Sequence, residues 1–337
     1  MNGRATFHFQ IPVYFGGGAA VAGPKEGQGP MGPFFDLIYD SLQSAEDSWE
    51  KTETAMQRDA LAKLLEKAAL TDGSVDLLLG GDLINQLTVT NFAAVERDIP
   101  FLGLYNACAT MAEGLLLASS LIGAGLIADA AVVASSHNAT SERQFRFPTE
   151  LGNQRPSWSQ WTVTAAGAAL LTNRPGPVRL ISGTVGRVVD YGVKDANDMG
   201  AAMAPAAADT ILRHLRAEKA SPADYDLILT GDLGRRGRRL LLALLEKELA
   251  DVDERFQDCG VWMFKENQDV YAGGSGAGCS ASVWSGYLPR AMIRGQYRRV
   301  LLVGTGALLS AVSVGQGASI PAIAHAVELR TEGKEAR

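Results

Sequence analysis

The sequence predicts an α/β protein made of two similar strand–helix layers related by a pseudo-two-fold axis. Short apolar runs alternate with segments of helical period along all 337 residues, the pattern of parallel strands joined by helices. A segment also repeats: Asp76-Leu-Leu-Leu-Gly-Gly-Asp82-Leu83 is matched by Asp226-Leu-Ile-Leu-Thr-Gly-Asp232-Leu233, 150 residues further on. Two more pairs follow in the same order. Cys108 and Cys279 each open a helical stretch, and strands end at Val133 and Val303; these offsets are 171 and 170 residues. The halves divide as 1–175 and 176–337.

Taken in order, Ala5 to Phe15 alternates in polarity and reads as a strand. Gly16 to Pro33, rich in Gly and Pro, reads as a loop; it lacks the Lys-Ser/Thr ending of a phosphate-binding loop. Glu53 to Leu70 is a helix with an apolar stripe of Ala55, Leu61, Leu64, Leu65 and Ala68. Val75 to Leu79 is a strand, Leu83 to Arg97 helical, Phe101 to Tyr105 a strand and Met111 to Ala128 a buried helix. A strand from Ala130 to Ala134 leads to a polar loop insertion at about 138–160, and Val163 to Thr172 closes the first half. The second half has strands at Val178–Thr184, Tyr225–Leu229, Val270–Gly278, Val300–Val303 and Ile320–Glu328. Its helices span Ile211–Glu218, Leu240–Leu249 and Cys279–Met292, with a loop over Asp198–Ala208.

Bulk composition narrows the function classes. Hydrophobic residues make up 47% and charged residues 20%, enough for a sizeable core. A net charge of −6 gives no general attraction to nucleic acid, which is not expected as a partner. The three cysteines, Cys108, Cys259 and Cys279, are widely spaced and form no CxxC pair. Neither a metal site nor a disulfide framework is expected, and a reducing compartment fits. Met1 to Gln10 has no signal-peptide core. Met111 to Ala128 is long enough to suggest a membrane span, but seven of its 18 residues are Ala or Gly and it lacks flanking basic and aromatic belts. A soluble cytoplasmic chain without a transmembrane helix is therefore expected.

The chemistry centres on Tyr105-Asn106-Ala107-Cys108-Ala109-Thr110. Strand, tight corner and buried helix would put Cys108 at the first helical turn, where unpaired N–H groups and the helix dipole favour a thiolate. The alternative is that Cys108 is one more small core residue. Asp82, Asp232, His137 and Thr305 also follow strands directly, where α/β proteins gather ligands. For the two aspartates, an N-cap role competes with a functional one.

The Asn-Ala-Cys108-Ala-Thr corner, the duplicated layout and the strand Gly167-Ala-Ala-Leu-Leu171 resemble the thiolase and condensing-enzyme fold, two similar αβαβα halves about a pseudo-two-fold axis. From about residue 8 to 328 the chain is similar to the stage V sporulation protein AD family. The likeness is carried by Ala22-Gly-Pro-Lys-Glu26, Gly81-Asp-Leu83, Ser135-Ser-His-Asn-Ala-Thr140, Glu142-Arg-Gln-Phe-Arg146, Met203-Ala-Pro-Ala-Ala-Ala-Asp209, Ala272-Gly-Gly-Ser-Gly276 and Gly304-Thr-Gly-Ala-Leu-Leu-Ser310. That resemblance implies a component, peripheral on the inner spore membrane, that binds dipicolinate. It would work with the other proteins of the spore membrane dipicolinate channel complex, in uptake into the developing spore and release at germination. No cofactor is implied, and calcium enters only as the dipicolinate counter-ion. Analogy with the superfamily adds a homodimer.

A condensing enzyme needs an acid–base partner for its cysteine. The usual second-half positions read Thr230-Gly231-Asp232 and Ala272-Gly-Gly-Ser-Gly-Ala-Gly-Cys279, without histidine. The four histidines stand elsewhere: His8 in the first strand, His214 on a charged helical face and expected to be solvated, His325 between apolar neighbours, and His137 at a strand end. Cys108 thus keeps its mount and lacks its partners. Binding a flat dianion calls for N–H donors or cations. The ligand-binding set expected is Cys108, Ser136, His137, Asn138, Arg143, Arg146, Gly274, Ser275 and Thr305. Plain surface charge for the arginines and loop capping for His137 remain open. An acyl transferase using Cys108 and a non-binding scaffold for membrane partners are the alternative functions.

Overall fold

The computed structural model describes residues 5–44, 47–145 and 155–331. In the first half run β1 (Thr6–Ala22), α1 (Pro24–Gly27), β2 (Leu37–Ile38), α2 (Trp49–Ala68), β3 (Leu77–Gly81), α3 (Thr88–Val95), β4 (Phe101–Gly103), α4 (Thr110–Gly123), β5 (Asp129–Ser136), α5 (Asn138–Phe145), β6 (Trp161–Thr162) and β7 (Ala165–Thr172). The second brings β8 (Val178–Thr184), α6 (Met199–Glu218), β9 (Leu227–Thr230), α7 (Gly234–Leu245), β10 (Phe256–Asp258), α8 (Cys259–Met263), β11 (Gly274–Ser275), α9 (Ala277–Gly286), α10 (Leu288–Ile293), β12 (Arg299–Ala307), α11 (Ala311–Gly315) and β13 (Ala322–Thr331).

The main sheet has the order β10-β9-β12-β13-β8-β1-β7-β5-β3-β4. It reads alike from both ends when β8 is matched to β1, β13 to β7, β12 to β5, β9 to β3 and β10 to β4. The repeated aspartate segments lie on the matched pair β3 and β9. The sheet is mixed: β3, β4 and β5 pair in parallel, as do β9, β10 and β12. The central strands β1, β7, β8 and β13 pair antiparallel, which alternation of strand and helix alone does not reveal.

Strand period sorts side chains into three apolar layers. Along β5, Ala130, Val132 and Ala134 enter the middle core, while Ala131 and Val133 face the core under α2. Along β12, Val300 and Leu302 face the middle, and Leu301 and Val303 face the core under α6 and α7. The buried helices α4 and α9 occupy the middle layer. The order helix, sheet, helix, sheet, helix is the five-layer arrangement expected. α4 ends at Gly123, and among the described residues no helix is long and apolar enough to cross a membrane.

Several expectations are corrected. The glycine stretch after Phe15 is strand, not loop, because β1 continues to Ala22 beneath α9. A Cβ on Gly18 would lie 2.3 Å from the carbonyl oxygen of Ser285, so the small residues are a packing face. The expected loop 198–208 is the first half of α6: Asp198 caps it by accepting from Ala201 N, and Ala202, Met203, Ala204, Ala206 and Ala207 are buried. Alanine is a strong helix former, and here its size lets the helix lie close on β12 and β13. The insertion opens as α5, and the strand expected over 270–278 shrinks to Gly274–Ser275, because Gly273 and Gly276 take φ of +103° and +106°. The single helix expected over 279–292 breaks at Tyr287 before Pro289. Gly304, Thr305 and Gly306 lie inside β12 rather than after it.

Candidate functional site

The chain leaves β4, passes Tyr105 and Asn106, and turns at Ala107, whose φ of +49° is left-handed for a residue with a Cβ. Thr110 Oγ1 holds the corner by donating to the Ala107 carbonyl at 2.7 Å and accepting from Asn106 N at 3.4 Å. Cys108 thus sits in a single tight turn, Ala107–Ala109, ahead of α4 and is 5% exposed. The location matches the sequence-based reading, whereas the expected thiolate does not form. Burial pushes the Cys108 thiol well above its ordinary value, and the Asp232 carboxylate, which accepts its proton, pushes it further. The Gly276 backbone and Ser275 hydroxyl act the other way and lose. The thiol is protonated at neutral pH.

Asp232 is the hub. Its Oδ1 accepts from Thr305 Oγ1 at 2.7 Å; its Oδ2 accepts from Ser275 Oγ and Gly276 N, each at 2.9 Å. Burial raises its pKa, opposed by these donors and the Cys108 thiol. Four distant segments converge here: the Cys108 corner, the turn after β9, β11 with the start of α9, and β12. Asp82, its counterpart in the repeat, does act as a cap, accepting from Ile84 N and from Thr90 N in the first turn of α3. Asp232 does not cap α7; the N–H groups of Leu233, just before α7, and of Gly234, its first residue, are served by Asp258. The cysteines also gather here: Cys279, buried, is pushed up first by burial and further by its electrostatic coupling to Cys259, Asp232, Asp258 and Cys108.

Of the residues singled out from the sequence, Cys108, Ser275 and Thr305 surround Asp232. Gly274 O accepts from Gln160 Nε2, which also donates to the Asp232 carbonyl. Ser136 stands behind Gly276, where a Cβ would come within 2.6 Å of Ser136 Oγ. That hydroxyl donates to Val163 O and accepts from Gly278 N, so it holds the start of α9. The other members lie apart. His137 is buried, its Nε2 bonded to Leu42 O and its Nδ1 accepting from Ala139 N. Asn138 Nδ2 donates to Thr162 O. Arg143 pairs with Glu50 at the start of α2, over the Trp49 ring. Arg146 lies outside the described residues.

No histidine is among the groups acting on Cys108. His8 pairs with Glu218. His214, expected on a solvated face, is fully buried instead, bonded to Thr184 Oγ1 and facing Tyr225 and Glu328. The charged neighbours Arg213 and Arg216 misdirected that expectation: α6 turns His214 inward between them. His325 Nδ1 lies 3.2 Å from Gly186 N, and its Nε2 lies 2.9 Å from Asn106 Nδ2. Burial lowers His137 and His325 to about 4, leaving both neutral at pH 7.

Beside the site, α1 is pinned by Glu26, wholly buried, whose Oε1 accepts from Thr164 N at 3.0 Å. Burial raises its carboxyl to about 7. A carboxyl raised on folding binds a proton more tightly in the native state, so its contribution is full at low pH and is lost as pH rises to the native value. Between pH 5.5 and 8 this one group should remove about 2 kcal/mol of stability. Urea titrations of wild type and Glu26→Gln check this; the substituted chain should lack that part of the slope, and equal slopes would refute it.

A family model described as Stage V sporulation protein AD matches residues 3–330. The chain is 42% identical over 333 residues to Stage V sporulation protein AD of Bacillus subtilis (strain 168), covering 99% of this chain and 98% of that protein. Among solved structures it resembles 3-oxoacyl-[acyl-carrier-protein] synthase III from Aquifex aeolicus, with a TM-score of 0.57 and 13% identity over 94% of this chain and 99% of that one. It also resembles cerulenin-bound OleA from Xanthomonas, with a TM-score of 0.61 and 14% identity over 97% and 98% of the two chains. At such identities these structures establish the thiolase-like fold alone.

Proposed function

The chain belongs to the Stage V sporulation protein AD family, and from that premise we propose that it is a dipicolinate-binding component rather than a condensing enzyme. Its role would be to present dipicolinate, with calcium as counter-ion, to membrane partners during uptake into the spore and release at germination. One observation carries the non-catalytic side of this reading. The group facing the Cys108 thiol is Asp232, a buried carboxylate already saturated by Thr305, Ser275 and Gly276. Condensation needs a thiolate and a group that stabilises an oxyanion. A negative charge beside the sulfur opposes both.

Isothermal titration of the folded chain with dipicolinate, using benzoate as the single-carboxylate comparison, tests the binding. The expected result is dipicolinate binding at least about tenfold tighter than benzoate, a difference of about 1.4 kcal/mol. Absence of heat with dipicolinate would defeat the reading. The corner at Ala107 and the fold favour a second reading, acyl transfer through Cys108. Incubation with an acyl-CoA followed by intact-mass measurement separates the two: an unmodified mass is expected, and a stoichiometric adduct lost in Cys108→Ser would favour transfer.

A further inference from the structure

One helix breaks a local electrostatic rule. α7 opens Gly234-Arg-Arg-Gly-Arg-Arg239, with four arginines in its first six residues. The acids Glu246 and Glu248 stand at its far end, with Asp251 and Asp253 just beyond. A helix macrodipole favours the opposite order, acids first and cations last, and such departures are expected where function requires them. Nor are the charges cancelled locally. Arg235 Nη1 and Arg238 Nε donate to the carbonyls of Tyr271 and Phe256, at 2.9 and 2.7 Å. A carbonyl orients a guanidinium without neutralising it. Arg236 meets a carboxylate, Asp198, at 2.8 Å. Arg239 is exposed and makes no hydrogen bond or ion pair among the described residues.

The placement is rigid. Gly234, Gly237, Leu241 and Leu245 form the buried stripe of α7. A Cβ on Gly237 would lie 2.8 Å from Gly200 Cα, so α7 lies hard against α6 and cannot roll. With that stripe inward, Arg235, Arg236, Arg239 and Ala243 share an arc of about 100° on the opposite side of the helix. α7 belongs to an outer helix layer, so that arc is turned outward. Apolar groups edge it. Leu240 is 36% exposed, Tyr271, beside Arg235, is 45% exposed, and Trp158 is 42% exposed. Trp158 Nε1 donates to Asp195, three residues before the Asp198 that holds Arg236.

We propose that this face of α7 is where the chain rests on an anionic lipid surface. The arginines meet lipid phosphates through charge-assisted, two-pronged hydrogen bonds. Leu240, Trp158 and Tyr271 enter the headgroup zone, the level that aromatic side chains favour. A lipid surface accounts for both the arginines and the apolar groups beside them; an acidic polypeptide accounts for the arginines. The remainder of a chain of net charge −6 is repelled by the same surface, which sets the orientation: the start of α7 toward the lipid and its acidic end away. Asp232 lies two residues before α7, so docking would bring the Cys108–Asp232 site close to the lipid. This deepens the membrane side of the reading above and is independent of which small ligand binds.

The test is co-sedimentation of the full chain with phosphatidylcholine vesicles containing about one-third phosphatidylglycerol, against vesicles of phosphatidylcholine alone. Binding is expected on the anionic vesicles only, and about 0.5 M salt should abolish it. Arg239→Gln should weaken it about fivefold, and Arg235→Gln combined with Arg239→Gln about twentyfold. Lys63→Gln removes one charge from α2, in the opposite outer layer, and should leave binding unchanged. Melting curves confirm that each variant folds, and the exposed Arg239→Gln keeps the test valid should the paired variant unfold. Full binding by the Arg239 and paired variants, an equal loss in Lys63→Gln, or no binding to any vesicle would overturn the surface. Arginine-dependent binding of polyglutamate without vesicle binding would also overturn it, in favour of an acidic polypeptide. Failure on vesicles with dipicolinate heat retained would sink this surface alone; vesicle binding without dipicolinate heat would keep the surface and sink the dipicolinate reading.

Discussion

Gly167→Ala should destabilise the fold by about 3 kcal/mol, at the upper end of what overpacking costs. A Cβ at this position would lie 2.1 Å from the carbonyl oxygen of Ala281, 2.2 Å from its carbonyl carbon and 2.7 Å from Ser282 N. All three are backbone atoms of α9, so no side-chain rotation relieves the clash. Nor can the strand retreat: Gly167 is paired with Ala134 on β5 and Ala20 on β1. The helix must move instead, and its first turn includes Gly278, which donates to Ser136. Just ahead of it, Gly276 supplies an N–H to Asp232. The stability loss should therefore disturb the Asp232 site as well. Urea denaturation measures it, with Gly73→Ala as the comparison, since a Cβ there meets nothing within 4 Å. A loss under about 1 kcal/mol at Gly167 would mean that α9 is not clamped against the sheet as described.

Substitution of Asp232 should have the second large effect, and the two obvious variants should differ in kind. Asp232→Ala strands Ser275 Oγ, Thr305 Oγ1, Gly276 N–H and the Cys108 thiol without their common acceptor. Unsatisfied buried donors cost about 1–3 kcal/mol each, partly recovered by rotation of the hydroxyls, so a net loss of about 3 kcal/mol is expected. Asp232→Asn keeps the shape and removes the charge. Burial, the main cause of the raised Cys108 thiol, remains; the carboxylate's contribution goes. The resulting fall in the thiol pKa would raise the thiolate fraction, so alkylation by iodoacetamide at pH 7.5 should be severalfold faster than in wild type. An alkylation rate equal to that of wild type in Asp232→Asn would show that Asp232 does not hold the thiol protonated.

The sequence alone determined the alternation of strands and helices, the duplication, the stripe on α2, the corner at Cys108 and, through the motifs quoted, the family. All of these are local: side-chain period and short segments of fixed spacing belong to the chain wherever it folds. The structure decided what distant segments do to one another. Glycine and alanine runs read as loops at 16–22 and 198–208 because small residues suit turns, yet the same smallness lets α9 lie on β1 and α6 on β12 and β13. His214 looked solvated because its sequence neighbours are arginines, but burial is set by the face of α6 turned to Tyr225 and Glu328. Asp82 and Asp232 stand in nearly the same local sequence; one caps α3, while the other meets Ser275, Thr305 and Cys108. Which carboxylate became a cap and which a hub depends on side chains arriving from 43 to 124 residues away, and only tertiary contact brings them there.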